Sequence, residues 1–269
     1  MGKLKRVLKY AGIVLGVVGL GFGTFVYVEC SKFDSSMEHV YADVPVPDIV
    51  RSTDPAVIAR GEHLVHAGAG CASDLCHAQD LGGGKPIVMG PLGTVQGPNI
   101  TPSNLGAAYS DGELARIIRH GVKKDGCSVR MMPAQDLTWL PDSDVQAIVS
   151  YLRTIPGVER PCGSSHIGTL GKVLDRQDKI VLDVARHIDH GKVEHAPGPE
   201  PTAAYGVFLA RLCSGCHGEH LSGGRIPGAP SELPIPLNLT PHATGLAGWA
   251  YADFEKLMRT AVRKNGKAL

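Results

Sequence analysis

Residues 213–217 read Cys-Ser-Gly-Cys-His, and few short stretches constrain a chain more. Two cysteines with two residues between them, followed at once by a histidine, form the attachment pattern of a c-type haem. The spacing has a chemical reason. Cys213 and Cys216 reach the two vinyl groups on one porphyrin edge and become thioethers, while His217 is held under the ring as an axial iron ligand. A zinc site needs four ligands, and no second tight Cys/His pair follows at finger spacing. A redox Cys-x-x-Cys pair calls for a surrounding βαβ pattern, which is missing here.

A second copy lies upstream. Residues 71–77 read Cys-Ala-Ser-Asp-Leu-Cys-His, with four residues between the cysteines and Ser73 where a two-residue gap would put the first of them. Either Cys71 reaches the far vinyl through a wider loop, or this haem hangs from Cys76 alone, with His77 as its ligand. The flanking residues repeat as well. His77-Ala-Gln-Asp-Leu-Gly-Gly-Gly parallels His217-Gly-Glu-His-Leu-Ser-Gly-Gly, and Asn99-Ile-Thr-Pro102 parallels Asn238-Leu-Thr-Pro241. Arg119, Val122, Lys124 and Gly126 recur as Arg259, Val262, Lys264 and Gly266, each 140 residues later. A long internal repeat marks a duplicated unit. Two haem domains, with two haem c groups per chain, are expected.

With these motifs the chain resembles the membrane-anchored dihaem cytochromes c, and in particular the bacterial cytochrome c subunits of periplasmic gluconate and alcohol dehydrogenases. The likeness covers roughly residues 50–269. It is carried by the Cys-x-x-Cys-His site, the Leu-Ser-Gly-Gly behind it, the Asn-Leu-Thr-Pro segment, the run Gly248 to Phe254, and the Met-Pro followed by a Tyr-Leu-Arg helix. The resemblance implies an all-α fold: an N-terminal transmembrane helix followed by two tandem class I cytochrome c domains. A methionine on the loop before the last helix is where class I domains present the sixth iron ligand, and a thioether there favours reduced iron. Met132, directly before Pro133, is the expected ligand, with Met131 in reserve; the alternative is that both pack as apolar filler.

The organisation follows from patterning. Lys3, Lys5, Arg6 and Lys9 precede an apolar run from about Tyr10 to Val28, long enough to match a hydrocarbon core of about 30 Å. The basic cluster before the run places the N-terminus in the cytoplasm and the rest outside. A cleaved signal peptide is the competing reading, but no Ala-x-Ala pattern follows, which favours an uncleaved anchor. Residues 1–30 are thus read as basic segment and signal anchor, 31–52 as a tether, 53–160 as the first domain, 161–201 as a linker and 202–269 as the second domain. The expected location is a bacterial inner membrane, single-pass, with both haem domains on the periplasmic side.

Within the first domain, Asp54 caps a helix that begins at Pro55, and Ser110 caps a second from about Asp111 to Gly121. His63 and His66 sit on the first helix, with surface or structural roles favoured over a bis-histidine iron site. The glycine-rich stretch 82–98 is loop, without the strand-to-helix setting of a phosphate-binding loop. Val145, Ile148, Val149 and Leu152 form an amphipathic closing helix. Four of the seven cysteines fall in the haem motifs. Cys127 and Cys162 are a candidate disulfide in an oxidising compartment, and Cys30 is an ordinary juxtamembrane cysteine. His187 and His190 are possible ligands but, three apart in a polar segment, read as solvated. In the second domain the positions matching Met131 and Met132 would fall past Leu269, so that domain is expected to lack its C-terminal helix. His220 or His242, or water, would then face His217 across the iron.

Aromatic content of only 5% is low for an unaided core, and buried porphyrin supplies the missing apolar bulk. A net charge of +1 argues neither for nucleic acid nor for an acidic substrate, and no nucleic-acid partner is expected. The leading functional reading is an electron carrier passing single electrons from a dehydrogenase or quinol-linked donor to an oxidase or another cytochrome, with no catalytic residues of its own. The alternative is a dihaem oxidoreductase of the peroxidase or thiosulfate-oxidising type, acting at an open second haem.

Overall fold

The structure is a computed structural model that describes residues 2–161, 163–192, 197, 200–226 and 233–268. The chain divides into two compact units, residues 1–196 and 197–269.

Unit 1 begins with α1 (Gly2–Met37), 36 residues long and, at 1.5 Å per residue, about 54 Å from end to end. It is long and apolar enough to cross a membrane, and its first part is exposed all round, as at Leu15 and Leu20. The helix does not stop where the apolar run ends. Glu29, Phe33 and Met37, spaced four apart and therefore on one face, are buried. Phe33 and Met37 join a cluster with Met89, Val95, Ile167 and Leu182. Around it Asp34 pairs with Lys172 at 2.6 Å, the Ser36 hydroxyl donates to Asp183, and Gln177 donates to Glu29 at 3.2 Å. Residues 31–37, expected as the start of a tether, are thus a helical extension docked on the domain.

The core of unit 1 is a helix crossing. Asp54 accepts from the Ala56 amide at 2.8 Å and starts α2 (Pro55–His63), which passes into a π-helical turn at Leu64–Gly68. Gly61 lets α2 lie directly on the closing helix, because a Cβ there would stand 2.0 Å from the Ala147 carbonyl oxygen. After this come β1 (Ile87–Val88), β2 (Gly93–Val95), the short α3 (Leu105–Ala108) and α4 (Asp111–His120). A complete capping box of Ser110 and Glu113 starts α4, and Gly121 ends it in the left-handed region at φ +61°. The closing helix, α5 (Asp142–Leu152), buries Val145, Ala147, Ile148, Val149 and Leu152 as its pattern predicts.

Two expectations need correction. The fold is helix-rich but not purely α, since β1 and β2 pair antiparallel (Ile87 with Val95) and β3 (His166–Ile167) adds to β2 through Gly93 and Thr94. Part of the stretch read as loop is therefore a small sheet. Nor does the segment after residue 160 behave as a linker throughout. Ile167, Leu182, Val184 and Ala185 are buried, and α6 (Thr169–Arg176) packs on α1.

His190, read as solvated, instead meets His120 with 3.1 Å between their Nδ1 atoms. Burial first, then His190, Arg119 and Arg116, pull His120 down to about 4, and burial lowers His190 too. An unfolded histidine titrates near 6.5, so between about 6.5 and about 4 the unfolded chain binds more protons. The stability this pair contributes is complete above pH 6.5 and lost as pH falls through that window. Urea midpoints at pH 7 and pH 4.5 should therefore differ less in His120→Gln than in the wild type.

Unit 2 holds α7 (Ala203–His217), capped by Thr202, and α8 (Tyr251–Thr260). Its Phe208 is buried, while Val207, Leu237, Tyr251 and Met258 are exposed.

Candidate haem-binding sites

In unit 1 the chain from Cys71 to His77 closes on itself. The His77 amide donates to the Cys71 carbonyl at 3.1 Å, and the Cys76 amide donates to the Ser73 carbonyl at 3.0 Å. Asp74 and Leu75 are pushed outward, where Asp74 pairs with Lys85 at 2.8 Å. The wide gap is thereby absorbed as a surface bulge, and the two thiols stay close enough to affect one another's ionisation. Burial, helped by Cys76, pushes the Cys71 thiol up to about 12.

The imidazole of His77 is oriented by a hydrogen bond between Nδ1 and the Pro98 carbonyl at 2.7 Å. The carbonyl can only accept, so Nδ1 carries the proton and Nε2 keeps the lone pair a metal requires. Burial lowers the pKa of His77, which holds the ring neutral, although part of the residue still reaches solvent. The strand of chain bearing Pro98 lies hard against the motif, since a Cβ on Gly97 would come within 1.6 Å of the Cys76 carbonyl oxygen.

Behind Pro98 stands a polar anchor. Asn99 is buried and accepts from the Thr101 amide at 3.0 Å and hydroxyl at 2.7 Å. It donates to the Val158 carbonyl at 2.7 Å, while the Val158 amide donates to Thr101 Oγ1 at 3.1 Å. Asn99 thus ties the segment that orients His77 to the chain leaving α5. Sequence reasoning noticed the Asn-x-Thr-Pro pattern as a repeat marker and a shared family feature, without a structural role. That it recurs at Asn238 is the signal that gives it a structural role.

Unit 2 repeats this arrangement. His217 Nδ1 bonds the Leu237 carbonyl at 2.7 Å, the same bond one repeat later. Asn238 accepts from the Thr240 amide at 2.8 Å and hydroxyl at 2.7 Å. Leu81 and Leu221 both take positive φ, 58° and 54°, and each carbonyl accepts from the residue after the asparagine, Ile100 or Leu239. Lys124 and Lys264 each donate 2.8 Å bonds to a carbonyl, that of Ala108 or Gly248. Cys213 and Cys216 lie on the last turn of α7, and burial together with Cys216 raises the Cys213 pKa.

The other expected residues fall elsewhere. Met132 packs against Val129, Ala134, Val184 and Ile188, whereas Met131, in the left-handed region at φ 59°, packs against the Phe33 cluster. His66 Nε2 bonds the Tyr151 hydroxyl at 3.0 Å, and His242 Nδ1 meets the Thr244 hydroxyl at 3.0 Å. Cys127 directs its thiol at the Glu38 carbonyl, 3.8 Å away, and Cys162 lies outside the described residues.

A neutral imidazole with a presented Nε2, next to two closely spaced thiols, is a donor set that suits haem c. Residues 56–152 match the family model described as cytochrome c oxidase, cbb3-type, subunit III, and this segment is a cytochrome c domain of that family. The chain is also similar to the gluconate 2-dehydrogenase cytochrome c subunit of Pantoea cypripedii, 34% identical over 103 residues, which are 36% of this chain and 22% of that protein. The alcohol dehydrogenase (quinone) cytochrome c subunit of Gluconacetobacter polyoxogenes is 26% identical over 185 residues, 61% of this chain and 36% of that one. Its counterpart in Gluconobacter oxydans is 32% identical over 107 residues, 38% of this chain and 22% of that one. The chain therefore spans only a minor part of the length of each relative.

Asn99→Ala should lower the melting temperature and loosen the hold on His77, because it takes the Asn99 acceptor away from the amide and hydroxyl of the fully buried Thr101, at about 1–3 kcal/mol. Asn99→Asp keeps the acceptor and should fall between. A high-spin ferric fraction in Asn99→Ala that is absent from the wild type would register the loosened imidazole.

Proposed function

We propose that this chain is an electron-transfer cytochrome with two tandem haem domains. Covalent haem attaches at Cys71 and Cys76 in the first and at Cys213 and Cys216 in the second. His77 and His217 are the axial ligands on one side, and Met132 is the sixth ligand in the first domain. The observation that carries the reading is the 2.7 Å bond from Nδ1 to a backbone carbonyl, made by the histidine that ends both cysteine pairs.

Haem c, when bound, supplies an iron that passes between ferric and ferrous states. The protein's own residues set the conditions. Pro98 and Leu237 hold each imidazole in one tautomer and orientation, and burial of His77 keeps it neutral. The exposed apolar side chains of unit 2 are suited to covering an apolar ring. The α1 helix anchors the chain in a membrane. The dehydrogenase subunits among its relatives support a dehydrogenase as electron donor and another redox protein as acceptor. Cys127 and Cys162 are the proposed disulfide.

The test is a haem count on the matured full chain by pyridine haemochrome, with a near-infrared spectrum of the ferric form. Two equivalents per chain and a methionine-to-iron charge-transfer band are expected. One equivalent would sink the dihaem assignment, and absence of the band would remove Met132 as ligand.

A further inference from the structure

A cavity of ≈ 750 Å³ lies in unit 1 between the outer part of α1 and the chain around α6 and residues 185–190. None of the haem-binding residues lines it. Its wall includes Tyr27, Ser31, Lys32, Ser35, Tyr41 and Arg176.

Height along α1 identifies the environment. The apolar run ends at Val28, so at 1.5 Å per residue Ser31 and Ser35 stand about 5 and about 11 Å beyond it. A bilayer of about 40–45 Å with a hydrocarbon core of about 30 Å leaves a headgroup layer of about 5–8 Å on each side. The Ser31 and Lys32 end of the cavity thus lies at headgroup level and the Ser35 end a few Å beyond it, with Tyr27 where interfacial aromatic residues collect.

The chemistry of the wall is specific. Its charged residues apart from histidine are all cationic: Lys32, Arg176 and Arg186. The balancing acids Glu29, Asp175 and Asp183 are buried behind the wall rather than lining it. Lys32 is engaged by Glu29 at 2.8 Å, and Arg186 by Asp178 at 3.0 Å and Asp175 at 3.3 Å. The Arg176 side chain makes no hydrogen bond or close ion pair among the described residues, although its charge acts on Glu29 and Asp178, and its Nε is shut off from solvent without a partner. A half-buried guanidinium with hydroxyls nearby is a site for a phosphate oxygen, which takes a charge-assisted and commonly bidentate bond from arginine.

We propose that this cavity binds the phosphate of an anionic phospholipid from the leaflet facing the domain, with Arg176 as its principal contact and Lys32 and the α1 serines around it. The site holds the domain against the bilayer at a fixed orientation, which the docked extension of α1 already favours. The inference rests on α1 spanning a membrane.

The test uses full-length holoprotein in non-ionic detergent, offered dioleoylphosphatidylglycerol, dioleoylphosphatidylcholine or inorganic phosphate, with bound molecules counted by native mass spectrometry. Phosphatidylglycerol should be retained in preference to phosphatidylcholine. Arg176→Gln should weaken that retention about tenfold or more, as expected for loss of one charge-assisted bond. Arg176→Lys should recover part of it, and Lys3→Gln, outside the cavity, should leave it unchanged. An unchanged haem spectrum and melting temperature in Arg176→Gln secure the comparison. Equal retention of the two lipids, or full retention in Arg176→Gln, overturns the site. Inorganic phosphate that displaces the lipid at equal concentration makes this a free-phosphate site and overturns the lipid assignment. Failure of the spanning helix shows separately, as release of the wild-type chain from vesicles by an alkaline carbonate wash.

Discussion

Gly61→Ala is expected to lower the melting temperature of unit 1, while Gly206→Ala raises that of unit 2. Both glycines sit in helices, α2 and α7, yet their surroundings are opposite. At Gly61 the added methyl would meet the Ala147 carbonyl oxygen at 2.0 Å and Tyr151 Cβ at 2.8 Å, whereas at Gly206 it would meet nothing within 4 Å. Backbone and a Cβ cannot rotate aside, so α2 must move off α5. Overpacking of this kind costs typically about 1–3 kcal/mol, with the upper end apt for contact with backbone. The better helix propensity of alanine returns roughly 1 kcal/mol. A net loss of about 2 kcal/mol corresponds to a drop of roughly 4–8 °C for a unit of this size. At Gly206 the propensity gain stands alone, at about 0.5–1 kcal/mol. Scanning calorimetry of the two transitions checks both signs in one protein series, and Gly61→Val should cost more than Gly61→Ala. A neutral Gly61→Ala would mean that the α2–α5 crossing does not carry the stability of unit 1.

That crossing shows which parts of the fold the sequence exposed. The capped starts at Asp54 and Ser110 and the apolar face of α5 were legible because each is a local pattern repeated over a whole helix. The Cys-His motifs were legible because their chemistry demands fixed spacing. What escaped was packing supplied by segments too short or irregular to show a period. Leu182 and Val184 are buried from an extended stretch, held there because buried Asp175 accepts from the Leu182 and Asp183 amides at 2.8 and 3.0 Å. An aspartate read alone looks solvated; this one replaces a strand's hydrogen-bond partner. The docked end of α1 escaped for a related reason. Phe33 and Met37 are isolated apolar residues among serine, lysine and aspartate, and only the partner surface tells that they share a buried face. At the site, the cysteines and histidines were readable but the Pro98 carbonyl was not, because a backbone acceptor has no signature of its own.

Replacing Cys76 is expected to take the haem count from two to one, whereas replacing Cys71 leaves the first haem attached through a single thioether. The asymmetry follows from the turn that closes residues 71–77. Cys76 directly precedes His77, so on the proposed assignment its thioether and the iron bond would act as one clamp, and the His77 ring is already fixed on Pro98. Cys71 is linked to that clamp through the bond from the His77 amide to its carbonyl. Because the Ser73–Leu75 bulge shortens the path between the cysteines, two thioethers are the expected outcome despite the four-residue gap. In the wild-type holoprotein, unfolded and treated with an alkylating reagent, neither thiol should react, and the proteolytic fragment should carry haem on both sulfurs. Stoichiometric alkylation of Cys71 would establish a single-thioether haem. The paired change Cys71→Ser with Ser73→Cys then separates spacing from chemistry. Ser73 accepts from the Cys76 amide through its carbonyl at 3.0 Å, which the substitution keeps, and through its hydroxyl at 3.3 Å, which it removes. A second thioether formed at position 73 in that variant would mean the bulge is tolerated rather than required. Haem held through Cys76 alone would mean that this fold positions its first haem for a thiol at 71 and cannot re-form around a shorter gap.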